Sequence, residues 1–136
     1  MKSRVLLFYL LMGILCSSCA KHIEVLYSAD RDNNNTLILK PSADVQGTNV
    51  TVNDRLVVEN KFVKKVTVRG IPDGENTYHF TSNSGMYKEK INFTETLNFM
   101  DGEEKTKLLD IPPLSSSYWT YLIVSSLVSA VIIAIL

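Results

Sequence analysis

Residues 66–93 read VTVRGIPDGENTYHFTSNSGMYKEKINF, and the apolar spacing in this stretch is two rather than the roughly 3.6 of a helix. Val66 and Val68 share one phase and Tyr78 and Phe80 another, while Ile91 and Phe93 open a third run that continues through Leu97 and Phe99. Successive side chains of a strand point to opposite faces, so each run has an apolar face and a polar one. Residues that break strands separate the runs: Gly70 to Gly74 around Pro72, then Asn83 to Gly85.

Working outward, the same period recurs. Val50 and Val52 alternate with Asn49 and Thr51, and Phe62 falls in phase with Val66 and Val68. Ile23, Val25 and Tyr27 form an early run, Leu37 to Leu39 a second, and Lys107 to Ile111 a last one. Turn chemistry lies between them at Asp32 to Asn35, Pro41 and Ser42, Gln46 and Gly47, Asn53 and Asp54, and Asp101 and Gly102. Short strands at this spacing, without helical stretches or internal repeats, predict an all-β fold: a small antiparallel β-sandwich of about seven strands.

Both ends of the chain differ from this middle. Lys2 and Arg4 precede the apolar run VLLFYLLMGIL at 5–15, and Ser18 and Ala20 supply small residues ahead of Lys21. That order of regions predicts a signal peptide over 1–20. An uncleaved anchor and lipid attachment at Cys19 are the alternatives, the latter with Cys16 where such motifs usually carry Leu. At the other end, residues 118–136, YWTYLIVSSLVSAVIIAIL, carry no charge and no proline. At about 1.5 Å per residue they reach roughly 28 Å, the length of a single C-terminal transmembrane helix. Tyr118, Trp119 and Tyr121 are placed to lie at the membrane interface. Ser125, Ser126, Ser129 and Ala130 make a stripe of small residues, as helix packing or mere composition would produce. Ser115 to Ser117 before the apolar tail also fit a GPI attachment site, but the polar spacer of about eight to twelve residues is missing.

Residues 21–117 then form the lumenal or extracellular domain. The whole chain has fourteen Lys plus Arg and fourteen Asp plus Glu, and its two cysteines, Cys16 and Cys19, both precede the expected cut. The near-neutral middle speaks against nucleic acid as a partner. A small thiol-free domain fits the secretory pathway, supported by partners, better than an exposed cell surface. Three sequons make Asn34, Asn49 and Asn92 glycosylation candidates, with Asn49 and Asn92 on the polar phase of their strands.

Reaction chemistry is sparse. His22 and His79 are the only histidines, and no nucleophile elbow, phosphate loop or zinc-protease motif occurs. Asp30-Arg31-Asp32-Asn33-Asn34 has the opening oxygen spacing of a calcium loop, but Asn35 and Pro41 stand where Gly and Glu are required, so a plain turn is expected. The reading is a non-enzyme without cofactor or metal.

The stretch 66–93 carries a family resemblance. A strand ending at Ile71, then Pro72 and Gly74, then Tyr78 leading the next strand, resembles the turn of carboxypeptidase-regulatory and collagen-adhesin sandwiches. Pro72 fixes φ at the corner and Gly74 supplies a positive φ. With a signal before it and one helix after it, the chain is similar to the family of subunit seven of the endoplasmic reticulum membrane protein complex. KLLDIPPLSSSYW at 107–119 resembles that family's connection from sandwich to helix. Two departures stand out. Glu75-Asn76-Thr77 lengthens the approach to Tyr78, suggesting a longer hairpin, and the family's cytosolic tail is missing.

The resemblance implies a non-catalytic accessory subunit that supports membrane-protein insertion from the endoplasmic reticulum membrane, its domain in the lumen. Its partners would be the other subunits of the complex, met through sandwich and helix, and the lipid bilayer. The alternative is a cell-surface antigen or adhesion module, tail-anchored or GPI-anchored.

Overall fold

The computed structural model describes residues 19–28 and 34–135, with side chains as far as Val128. Residues 1–18 of the expected signal peptide, and Asp30 to Asn33, lie outside the described residues. The strands are β1 (Lys21–Leu26), β2 (Asn35–Pro41), β3 (Val45–Val52), β4 (Arg55–Ile71), β5 (Gly74–Ser82), β6 (Asn92–Phe99) and β7 (Glu104–Leu109). One helix, α1 (Ser116–Ile135), follows them. All seven strands belong to one nearly closed sheet of order β6-β5-β3-β4-β2-β7, with β1 also on β4.

The expectation of a purely antiparallel arrangement is corrected. β1 runs parallel to β4, and β2 runs parallel to β7. Tight hairpins force antiparallel neighbours, whereas these pairs are joined by long stretches of intervening chain, which permit the parallel register.

The longest strand shapes the molecule. Arg55 faces Val52, Val63 faces both Val45 and Lys21, and Ile71 faces Asn35. Tyr27 bonds both halves of β4: its N–H donates to Arg69 O at 2.7 Å, and its carbonyl accepts from Arg55 Nη1 at 2.6 Å. Fully extended, the chain from Arg55 to Arg69 would span about 46 Å. β4 therefore runs along one layer and returns along the other. The reversal falls where Asn60 takes φ of 46° and the pairing registers slip.

Each bulge inserts one residue and reverses the inward phase. Val63, Val66 and Val68 are consequently buried, while Phe62, expected in their phase, is only half-buried. Gln46 and Gly47, expected in a turn, lie within β3. Elsewhere the alternation holds. Leu37 and Leu39, Val50 and Val52, Tyr78 and Phe80, and Ile91, Leu97 and Phe99 all face the core, and Phe93 packs on its margin 6.4 Å from Phe80 between ring centroids. Burying each of these large apolar side chains contributes about 1.5–3 kcal/mol.

The Ile71 to Gly74 turn is not a hairpin. β4 and β5 do not pair: Ile71 faces Asn35 of β2, and Gly74 faces Phe99 of β6. Pro72 and Asp73 carry the chain across from one layer to the other, which corrects the expected longer hairpin. The true hairpin beside it is β3 to β4, where Asn53 and Asp54 both have positive φ, the geometry that matches strand twist.

Candidate functional site

The expected turn residues are assembled around the end of the sheet farther from α1. Ile71 and Tyr78 are buried, Pro72 is half-buried, and Gly74 has φ of 92°. A set of amides fixes this corner. Asn35 Nδ2 donates to Ile71 O at 3.1 Å and to Asp73 Oδ1 at 2.7 Å, while its Oδ1 accepts from Glu103 N at 2.8 Å. Asn76 Nδ2 donates to Pro72 O and Gly74 O, and its Oδ1 accepts from Asn53 Nδ2 at 2.7 Å. Asn53 in turn holds Thr77 N through its Oδ1. Buried polar groups are costly unless paired, and among the described residues none is left without a partner.

The seam where the sheet nearly closes is held by side chains. Tyr78 donates its hydroxyl to Glu95 Oε2 at 2.9 Å, and Lys107 reaches Glu95 Oε1 from β7. The bond from Lys107 holds the Glu95 carboxyl below its usual range, against partial burial and with help from the Tyr78 hydroxyl. Burial raises Tyr78 well above the ordinary phenol value, and Glu95 adds to the shift, so the hydroxyl remains a donor. Beside this seam Lys105 Nζ lies 5.4 Å from the centre of the Phe99 ring.

At the opposite end the chain is tied to its helix. Tyr87 and Leu114 form an isolated antiparallel bridge. Lys88 N donates to Pro113 O at 2.9 Å, and Ser115 N donates to Met86 O at 2.8 Å. Tyr87 is itself pinned to the entry of β3, accepting from Gln46 N at 3.1 Å and donating to Asp44 O at 3.3 Å. Burial raises its hydroxyl pKa above the ordinary value. Ser115 caps α1, its Oγ accepting from Tyr118 N at 3.3 Å.

The aromatic collar lies at the start of α1, with Tyr118 half-buried and Trp119 and Tyr121 exposed. Ser125 and Ser126 both donate back to Leu122 O in their own helix, and the side chains of Ser129 and Ala130 lie outside the described residues. Among the described residues no helix is long and apolar enough to cross a membrane.

Asn34 and Asn92 are exposed, whereas Asn49 is half-buried and its Oδ1 accepts from Asn60 N at 2.9 Å. His22 is exposed on β1, and His79 Nδ1 lies 2.8 Å from Thr94 Oγ1 across the β5 and β6 pair. Among the described residues no three His, Cys, Asp or Glu side chains converge as metal ligands would.

Sequence reasoning missed Asn35, Asn76 and Glu95, though the signal was present. Asn35 shares the inward phase of Leu37 and Leu39, Asn76 that of Tyr78 and Phe80, and Glu95 that of Phe93 and Leu97. A polar residue on an apolar phase calls for a specific partner. No protein-family model matches the chain, and no curated protein matches it.

Proposed function

We propose that this chain is a non-catalytic accessory subunit of the endoplasmic reticulum membrane protein complex, supporting insertion of membrane proteins with its β domain in the lumen and α1 in the bilayer. The observation that carries the reading is the join between domain and helix. A displayed adhesion module gains reach from a loose stalk. Here Tyr87, Leu114 and the two backbone bonds beside them leave almost no slack before Ser116. Such a join suits a part that must keep a set orientation to the membrane and its neighbours.

The length of α1 is consistent with this role. Its 20 residues rise about 30 Å, the thickness of the hydrocarbon layer. Its described apolar side chains are exposed at Trp119, Tyr121, Ile123, Val124, Leu127 and Val128, an arc of roughly 200° at about 100° per residue. So wide an apolar surface favours lipid or a partner helix over water.

Affinity purification of the full chain from membranes in mild detergent tests the proposal. Recovery with the other insertase subunits is expected. Recovery of the protein alone would overturn the reading, and release from intact cells by a phosphatidylinositol-specific phospholipase would establish the surface alternative.

A further inference from the structure

We infer that the end of the β domain beside α1 is a docking surface for the anionic headgroups of the bilayer that holds the helix. This inference rests on the reading of α1 as a membrane helix.

The strand registers sort the charged residues between two ends. β2, β5 and β7 finish at the end where β3 and β6 begin, so Pro41, Val45, Ser82, Asn92 and Leu109 collect at the end from which the chain leaves for α1. Val63 joins them, because it faces both Val45 and Lys21. Asn53, Gly74 and Phe99 collect at the other end.

Charge follows this division. The far loops carry Asp54, Asp73, Glu75, Asp101, Glu103 and Glu104, flanked by Arg55 and Lys105. The end beside α1 presents Lys21, Lys40, Lys61, Lys64, Lys88 and Lys90, all exposed, against Asp44, Glu59, Glu89 and Asp110. Among the described residues none of these six lysines is in an ion pair. The near-zero net charge of the chain thus conceals a dipole whose positive end adjoins the helix.

Geometry brings two of these lysines close to the membrane anchor. Lys88 donates its backbone N–H to Pro113 O, a few residues before α1 begins. Lys88 and Lys90 line an open cleft of about 380 Å³ with Glu89, Asn83 and Ser84, and the Asn83 amide and Ser84 hydroxyl can donate to phosphate oxygens. Lys21 and Lys61 line a second cleft with Gln46, whose carbonyl accepts from Ser82 Oγ at 2.6 Å. Trp119 and Tyr121 then stand at headgroup depth on the helix itself. Phosphate chemistry, an adjacent aromatic collar and a rigid tether together favour lipid over a free anion. Because the tether has little slack, electrostatic seating sets the angle of the whole domain rather than of one loop.

The experiment uses the full chain reconstituted in phosphatidylcholine vesicles with and without phosphatidylserine. A membrane-impermeant acylating reagent reports each lysine by mass spectrometry, with Lys105 at the far end as the internal reference. With phosphatidylserine, Lys61, Lys88 and Lys90 are expected to react about fivefold more slowly relative to Lys105, and high salt should abolish the protection. Equal relative rates in both vesicles, with the protein still resistant to alkaline extraction, would overturn this inference alone. Extraction by alkali would overturn it together with the membrane reading.

Discussion

Asn35 and Asp73 are bonded at 2.7 Å across the gap between the start of β2 and the crossover from β4 to β5. The same amide holds Ile71 O and Glu103 N, so one fully buried side chain joins three segments distant in sequence. Asn35→Ala would leave the buried Ile71 carbonyl and the Asp73 carboxylate without this donor, while the Glu103 N–H keeps its bond to Met100 O. A loss of about 2–4 kcal/mol in unfolding free energy is expected from chemical denaturation. Asn34→Ala next to it, exposed, should change stability by less than about 0.5 kcal/mol.

The seam at Glu95 gives stability a dependence on pH. Its folded-state pKa is depressed, chiefly by the bond from Lys107. The contribution is therefore complete above the unfolded carboxylate value and is lost as pH falls through the lower folded value. Glu95→Gln should lower the denaturation midpoint near neutral pH, and the gap from the parent should close in acid. A gap that stays constant from neutrality into acid would show that the carboxylate charge is immaterial to the seam.

Two glycines on either side of the corner should respond differently to alanine. Gly70 has φ of 76°, and a Cβ there would lie 2.4 Å from Ser28 O, so Gly70→Ala must push β1 away from β4. Gly74 also has positive φ, but a Cβ there meets nothing within 4 Å, so only the conformational cost of about 1–2 kcal/mol applies. Hydrogen exchange should show the β1 amides losing protection in Gly70→Ala and keeping it in Gly74→Ala.

Asn34 is the sequon best presented for a glycan. It is exposed just before β2, at the end of the sheet away from α1, whereas the Asn49 side chain is engaged by Asn60 N and Asn92, though exposed, lies at the end beside α1. When the chain is made in a eukaryotic secretory pathway, Asn34→Gln should remove a mobility shift sensitive to glycosidase. Persistence of the full shift in that variant would place the glycan elsewhere.

Much of the β architecture was legible because one face of each strand is buried, and burial imposes a period of two on the residues themselves. Val50 with Val52, and Tyr78 with Phe80, are inward as their phase requires. The reading failed where the backbone departs from regularity. Nothing local in KFVKKV announces that β4 turns back near Asn60, so the period of two points to Phe62 for the place that Val63 occupies. Parallel pairing of β2 with β7 was equally hidden, since register between distant segments depends on the folded whole. For the candidate site, Tyr78 and the glycine corner were visible in sequence. The amides that hold the corner were not, because they work through partners far along the chain.

The size of the native particle released from membranes by mild detergent tests the central claim most directly. The account predicts that this 15.3 kDa chain migrates within a much larger assembly and that other insertase subunits migrate with it. A particle containing only this chain would contradict it.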